Sequence, residues 1–442
     1  MDLLVKGLKK SLMGECEIIG DKSIGHRSLI IGALAKGEYK VYNFPKNLDC
    51  MATLDSMKKL GVDIKVEGNT LKVNSPGYEN FNKKPEVLQG KNSGTTVRLM
   101  AGVLSGIGAE TKFIGDESLS CRPMKRIIEP LEKMGAKIES KDNKLPLKFL
   151  KHDGLNPIKY NMEVASAQVK SCILLAGLMS KGKTTIVEDK STRDHTERML
   201  KYLNAYINIR NIYSKDRKKS TFKKEITIKK SKLNSKDIYV PGDISSAAFL
   251  ISASLLIEGS NLCIKNVLLN EGRIEYINVL RNMGANIEIE KGQLLNGELV
   301  GNISVKGSYL KGITVEKHII PNIIDEIPVL SVIAAFSEGK TIFKSVEELK
   351  FKESNRVEAI IENLKRAGVK SAYKNGDLII EGNKSYIDKS LEIESFKDHR
   401  IALAFLVLSL KNKKHTLIKD YECTEISFPN SLTLFNLDYD LI

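Results

Sequence analysis

The chain has 442 residues, 42% hydrophobic and 28% charged, a globular balance long enough for two or three domains, so a fibrous or disordered chain is excluded. Lys plus Arg outnumber Asp plus Glu by 69 to 54, and the net charge of +15 favours an anionic partner without choosing among nucleic acid, an acidic surface and a phosphorylated metabolite. Trp is absent and aromatics are 6%, which argues against stacking-based recognition of single-stranded nucleic acid.

The N-terminus, Met1-Asp2-Leu3-Leu4-Val5-Lys6, has neither the apolar core of a signal peptide nor the Ser/Arg bias of a transit peptide. The longest clean apolar run, Ile401 to Leu410, is far shorter than the roughly 20 residues of a membrane span. Cys16, Cys50, Cys121, Cys172, Cys263 and Cys423 are scattered, without CxxC or Cys/His pairs at metal-ligand spacing, which fits a reduced compartment and no structural zinc. A cytoplasmic protein without membrane association is expected.

One pattern then recurs five times: an apolar helix, a Gly, a short β-branched strand, a polar loop, a second helix, and Gly before a further strand region. The glycines closing the first helices, Gly37, Gly108, Gly182, Gly259 and Gly339, are 71, 74, 77 and 80 residues apart. The second helices end in Leu60-Gly61-Val62, Met134-Gly135-Ala136, Met283-Gly284-Ala285 and Ala367-Gly368-Val369. In the third copy Asn204 takes the Gly place, a residue that also enters the left-handed region. The Lys-rich stretch from Lys215 to Lys236 is expected to form a solvated hairpin. A sixth copy begins at Asp398-His399-Arg400 and stops early. A period above 70 residues is too long for a solenoid, so each repeat is an α/β subdomain, and six divide as three plus three. The openings Gly20-Asp21-Lys22-Ser23 and Gly242-Asp243-Ile244-Ser245 are 222 residues apart and place the junctions near residues 20 and 240. One domain would comprise 1–20 plus 241–442, the other 21–240.

The first helices are apolar inside, but their N-terminal ends are polar: Lys22-Ser23-Ile24-Gly25-His26-Arg27, Asn92-Ser93-Gly94-Thr95-Thr96-Val97-Arg98, Ser166-Ala167-Gln168, Ile324-Asp325-Glu326 and Asp398-His399-Arg400. Most Ser, Thr, Asp and Asn there read as N-caps, Ser245 and Ser246 among them. Lys22, Arg27, Arg122 and Arg400 do not, because a cation at a helix N-terminus opposes the dipole and calls for a compensating anion. Arg122 precedes Pro123, which suits a first helical position. Lys352 and Arg356 would share a face if residues 352–356 are helical. Gly177 to Thr184 matches the phosphate-loop pattern GxxxxGK[ST], but in reversed context: it ends a helix and opens a strand, so an ATPase is not expected.

Taken in order, Gly20-Asp21-Lys22-Ser23 with Arg27, Asn92-Ser93-Gly94-Thr95-Thr96 with Arg98, Ser191-Thr192-Arg193-Asp194-His195-Thr196-Glu197, Lys352-Glu353-Ser354-Asn355-Arg356 and Asp398-His399-Arg400 resemble the enolpyruvyl transferases over nearly the whole chain. The resemblance implies an α/β fold of two similar domains, each of three βαβαββ units around a pseudo-threefold axis (an inverse α/β barrel), with the active site in the interdomain cleft. It implies transfer of the enolpyruvyl group of phosphoenolpyruvate to the 5-hydroxyl of shikimate-3-phosphate with release of phosphate, in aromatic amino acid biosynthesis. It implies no metal or organic cofactor, and a monomer that takes small-molecule substrates and no nucleic acid.

By that resemblance Ser23 and Arg27 hold the shikimate carboxylate, and Ser166, Ser191 and Lys352 hold its phosphate, with Arg193 as a further contact and Gln168 beside the ring. Lys22, Asn92, Gly94, Arg122, Arg356 and Arg400 form the phosphoenolpyruvate cradle, and Lys22 and Gln168 serve both substrates. Asp325 resembles the base at the substrate hydroxyls, and Glu353 and Lys22 the remaining proton-transfer groups. Gly94, where Ala desensitises some members to glyphosate, implies at least partial sensitivity. The chain departs from the pattern at Ile426, where some members carry a Lys that binds phosphoenolpyruvate, and at Ala167 and Glu348, where part of the family has Ser and Asn. The sister transferase acting on UDP-N-acetylglucosamine carries Lys-Asn at its first helix and a reactive loop Cys. Here Lys22-Ser23 with Arg27 and Lys352 favour the phosphorylated acceptor, and Cys121 is read as incidental. An RNA-binding protein and a non-catalytic binding protein are weaker alternatives.

Overall fold

The computed structural model describes residues 1–8, 10–216, 219–382 and 386–442. Among these residues the strands form six four-stranded sheets with one recurring order. In one, Leu88–Gln89 lies parallel to Thr111–Ile114, which pairs antiparallel with Lys144–Leu150, itself the hairpin partner of Lys137–Lys141. The helix Gly94–Ile107 fills the parallel crossover, and Lys125–Lys133 precedes the hairpin. This is the βαβαββ repeat, with crossovers built as parallel pairing requires.

The chain divides into two compact units: Met1–Asp21, Pro241–Gln293 and Leu299–Ile442 form the first, and Lys22–Val240 with Leu294–Glu298 the second. Each contains three of the six sheets. Two sheets borrow their opening strand from far along the chain. Met13–Glu17 lies parallel to Asn261–Leu268, and Ile238–Tyr239 parallel to Gly37–Tyr42. Where the chain leaves and re-enters the first unit, Gly20 and Gly242 form an antiparallel bridge and the Asp21 N–H donates to the Pro241 carbonyl at 2.7 Å.

The sixth copy does not stop early, as the repeat in the sequence suggests. Its strand Thr416–Ile418 pairs with the N-terminal strand Leu3–Leu8, which pairs in turn with the C-terminal strand Leu437–Leu441. The closing hairpin is thus assembled from the two ends of the chain, and its second helix is replaced by the 3-10 turns Tyr421–Ile426 and Ser431–Leu434.

Strands bury alternate residues, as along Lys144–Leu150, so each sheet offers one apolar face. The first helices Ile244–Leu256, Ile327–Phe336 and His399–Ser409 are buried nearly all round and form the core beneath those faces. Asn204 has φ +67°, so it does the work of glycine at the end of the third second-helix. The reversed phosphate-loop pattern ends the helix Ala167–Leu178 and opens the strand Lys183–Glu188, as read from the sequence.

Other local expectations fail. Asp243, not Ser245 or Ser246, caps the helix Ile244–Leu256, its Oδ1 accepting the Ser245 N–H at 2.9 Å. Pro123 lies outside the helix that follows, which starts at Lys125. Residues 352–355 are not helical: a 3-10 turn ends at Phe351 and the helix Arg356–Arg366 begins after the Asn355 cap. The basic hairpin runs from Ile207–Asp216 into Lys219–Lys229, earlier than expected; residues 217 and 218 of the Lys-rich stretch lie outside the described residues. Among the described residues no helix is long and apolar enough to cross a membrane.

Helices Gly94–Ile107 and Ala167–Leu178 pack backbone to backbone at Gly102, where a Cβ would clash with the Cys172 carbonyl oxygen. Backbone cannot yield as a side-chain end can. Gly102→Ala is therefore expected to lower the unfolding free energy by about 1–3 kcal/mol, read from urea denaturation. Gly106→Ala, whose Cβ would meet the flexible Met179 thioether, should be milder; equal effects would count against backbone contact as the constraint.

Candidate active site

In the second unit the polar helix starts are joined to one another. Lys22 opens the helix Lys22–Ile30, and its Nζ lies 3.1 Å from Oδ2 of Asp49 in the first turn of Leu48–Lys59. One turn on, buried Arg27 donates to Thr196 Oγ1 at 2.8 Å, Ser171 Oγ at 3.0 Å and the Ser23 carbonyl at 2.9 Å. These bonds tie it to the helices Ala167–Leu178 and His195–Tyr202.

Between Lys22 and Arg27, buried His26 begins a chain of short contacts: Nδ1 to Thr53 Oγ1 at 2.7 Å, Thr53 Oγ1 to Thr96 Oγ1 at 2.7 Å, and Thr96 Oγ1 to Ser93 Oγ at 2.7 Å. Three helices are thereby joined without adding charge. Burial, with Lys22 and Arg27 nearby, holds the His26 imidazole well below its ordinary pKa, so it is neutral.

At the start of Gly94–Ile107, the Asn92 amide donates to Asp116 at 2.9 Å while its carbonyl accepts from Arg122 Nη2 at 2.9 Å. Arg98 donates to the Gln168 carbonyl at 2.6 Å, and the Gln168 amide donates to Thr95 Oγ1 at 3.0 Å. A Cβ on Gly94 would sit 3.1 Å from Arg98 Nη1 and 3.7 Å from Arg122 Nη1, so Gly94 borders two guanidiniums. Ser166 caps Ala167–Leu178, accepting from the Val169 N–H at 3.4 Å. Exposed Ser191 and half-buried Arg193 lie on residues 189–194, between the strand Lys183–Glu188 and the helix His195–Tyr202.

In the first unit the remaining residues gather around Arg356, which is 1% exposed. Its Nε donates to Asp398 Oδ2 at 2.8 Å and its Nη2 to Glu353 Oε2 at 2.5 Å, and its Nη1 lies 3.6 Å from Asp325 Oδ1. Burial disfavours the Arg356 charge, but Asp398, Glu353 and Asp325 more than offset it and keep the guanidinium protonated. Arg400 donates to the Asp325 carbonyl at 3.0 Å, and lies 3.9 Å from Asp325 Oδ2 and 3.7 Å from Glu326 Oε1. Lys352 is half-buried in the extended residue before this group.

Of the cations expected to oppose a helix N-terminus, Arg27 instead falls in the last turn of Lys22–Ile30, which the dipole favours, and Arg122 lies outside any helix. Lys22 does stand at a helix start, as does Arg356, and each meets a protein carboxylate there, Asp49 and Asp398, while Arg122 reaches Asp116 through Asn92. The sequence gives no sign of Asp49, because an acid in the first turn looks like ordinary dipole compensation. Arg98 was visible one turn after Gly94. Also missed was buried Arg273, which donates to Ser245 Oγ at 2.8 Å; that hydroxyl donates on to Glu326 Oε1 at 2.5 Å. Ile426 is half-buried in the turn Tyr421–Ile426, Glu348 is exposed, and Ala167 is the first residue of its helix.

Asp194, His195 and Glu298 bring ligand-type atoms within 4.8 Å of one another. Arg198 Nε, 2.8 Å from Asp194 Oδ1 and 3.8 Å from Glu298 Oε2, already supplies these acids with a cation, so the group does not fit a metal.

Because folded His26 binds its proton more weakly than the unfolded imidazole of pKa 6.5, the unfolded state takes up a proton as pH falls through that value, and stability declines below it. The His26 share of that decline should approach about 1.4 kcal/mol per pH unit. Urea denaturation between neutral and acid pH should show a flatter dependence in His26→Gln; parallel profiles would contradict a neutral buried imidazole.

The EPSP synthase (3-phosphoshikimate 1-carboxyvinyltransferase) family model matches residues 7–433. A 3-phosphoshikimate 1-carboxyvinyltransferase of Clostridium tetani is 54% identical over 434 residues, covering 98% of this chain and 96% of the relative. The EPSP synthase structure from Acinetobacter baumannii superposes with a TM-score of 0.87 at 34% identity, covering 100% of both chains. The enolpyruvyl transferase NikO from Streptomyces tendae shares the fold, with a TM-score of 0.77 at 14% identity and coverage of 99% and 98%. A family match over almost the whole length, on a chain whose helix starts carry the ordered basic and acidic residues described above, establishes that this chain belongs to the EPSP synthase (3-phosphoshikimate 1-carboxyvinyltransferase) family.

Proposed function

We propose that this chain transfers the enolpyruvyl group of phosphoenolpyruvate to the 5-hydroxyl of shikimate-3-phosphate, releasing phosphate, as a step of aromatic amino acid biosynthesis. The observation that carries this reading is the buried Arg356 held by Asp398, with Glu353, Asp325 and Arg400 around it. Such a group concentrates cationic charge, from buried Arg356 and the neighbouring Arg400, toward which a carboxylate or phosphate is drawn, and places two carboxylates beside it for proton transfer. A cytoplasmic monomer belongs to the same reading.

In this reading Asp325 takes the proton of the 5-hydroxyl as its oxygen bonds to C2 of phosphoenolpyruvate, and Glu353 or Lys22 delivers a proton to C3. The resulting tetrahedral adduct then loses phosphate while C3 returns a proton, restoring the double bond. The Arg356 guanidinium favours the ionised form of Glu353, so protonating it falls to the negative charge of the two bound substrates. Lys22, Asn92, Gly94, Arg122, Gln168, Arg356 and Arg400 take phosphoenolpyruvate. Lys22, Ser23, Arg27, Ser166, Gln168, Ser191, Arg193, Asp325 and Lys352 take shikimate-3-phosphate. Arg27, with its bonds to Ser23, Ser171 and Thr196, serves as a rigid base for this set as well as a charge.

Phosphate release is measured with phosphoenolpyruvate plus either shikimate-3-phosphate or UDP-N-acetylglucosamine. Release with shikimate-3-phosphate alone is expected; release with the sugar nucleotide alone would overturn the acceptor, and silence with both would overturn the enzyme. Glu353→Gln should keep ligand binding by calorimetry while kcat falls roughly 10²–10⁴-fold. An unchanged kcat would remove Glu353 from the proton path.

A further inference from the structure

Beneath the segment that carries Ser191 and Arg193 lies a cluster of buried charge with no part in the mechanism above. Lys170, on the helix capped by Ser166, is 0% exposed, and Glu188 and Glu197 are each 1% exposed. The Lys170 Nζ lies 2.7 Å from Glu197 Oε1 and 3.1 Å from Glu188 Oε1, and donates to the Thr192 carbonyl at 3.3 Å. The Thr192 hydroxyl donates back to Glu188 Oε1 at 2.5 Å. Glu188 is the last residue of the strand before residues 189–194, and Glu197 stands in the first turn of the helix after them. One ammonium therefore grips both ends of this irregular segment and its middle.

The neighbouring residues repeat the connection. Ser171 and Thr196, adjacent in sequence to Lys170 and Glu197, are 2.6 Å apart through their hydroxyls, and both accept from Arg27. Burial disfavours the Lys170 charge, but the Glu197 and Glu188 carboxylates more than offset it, so the ammonium persists. Burying three charges is a poor route to stability, since an apolar side chain of similar volume fills the space without desolvation. What an apolar residue cannot do is hold the Thr192 carbonyl. We propose that Lys170 is a positioning residue that holds Ser191 and Arg193 in place for the acceptor phosphate, and so sets affinity for shikimate-3-phosphate rather than for phosphoenolpyruvate. This rests on the acceptor assignment of the preceding subsection.

The test uses the full chain and three variants. Lys170→Met leaves two buried acids unpaired and can fail to fold. The triple variant Lys170→Met/Glu188→Gln/Glu197→Gln removes those charges, and Thr192→Val deletes a single bond of the segment. In the triple variant the melting temperature should return to that of the parent while KM for shikimate-3-phosphate stays raised by about tenfold, the equivalent of one lost hydrogen bond to a charged group. KM for phosphoenolpyruvate and kcat should move less, and Thr192→Val should show a smaller rise in the same constant. The proposal is overturned if stability and the acceptor KM recover together, or if both KM values rise in parallel. Amide hydrogen exchange at residues 190–193 should be faster in the triple variant and in Thr192→Val than in the parent. Unchanged exchange would sink the positioning role even if the parent used another acceptor, whereas a parent inactive with shikimate-3-phosphate but showing the exchange difference would sink only the acceptor reading.

Discussion

The wholly buried carboxylate of Asp398 accepts the Arg400 N–H and caps the helix His399–Ser409, and the same carboxylate holds Arg356, the first residue of another helix. Both cations stand in the first turn of a helix, where the dipole repels them. Asp398 resolves the conflict for the Arg356–Asp325–Arg400 group in one place, and Ser354, donating to its Oδ2 at 3.1 Å, fixes the turn that brings Glu353 alongside. Removing that carboxylate would leave a buried guanidinium short of its main counter-ion, a defect on the order of 3–5 kcal/mol. Glu353 and Asp325 are thus part of the same structure that keeps the helix starts together.

The second unit meets the same constraint with different chemistry. Lys22 is paired there at close range with a carboxylate of a neighbouring helix, as Lys170 is with Glu197, but His26, Thr53, Thr96 and Ser93 join three helices through neutral groups. Arg27 is likewise seated on hydroxyls and a carbonyl. In the first unit the corresponding group is held by carboxylates, Asp398, Glu353 and Asp325 around Arg356.

Much of this was legible in the chain, because its punctuation is local. Helix-ending glycines, the Asn204 substitute and the polar residues before apolar helices follow from backbone sterics and capping, which act over a few residues. The sixth repeat was misread because its hairpin draws one strand from each end of the chain, and pairing between residues 3–8 and 437–441 leaves no local trace. Ser245 was misread for a related reason: its hydroxyl answers Arg273 and Glu326, both distant in sequence, while Asp243 caps the helix. Asp49 and Lys170 were passed over because a first-turn acid and a mid-helix Lys are ordinary on an exposed surface, and burial is what makes them otherwise.

The amino-acid sequence by itself determined the repeat, the alternation of helix and strand, the residues concentrated at helix starts and the family those residues resemble. The first three depend on periodicity and short-range sterics, and the resemblance rests on the ordered motifs between Gly20 and Arg400. Tertiary structure alone decided which acid answers which cation, that His26 is neutral, that Gly94 borders Arg98 and Arg122, and that Lys170 lies beneath Ser191 and Arg193. Those facts depend on burial and on distances between residues tens to hundreds of positions apart, and charge interactions take their strength from desolvation and proximity, neither of which is written along the chain.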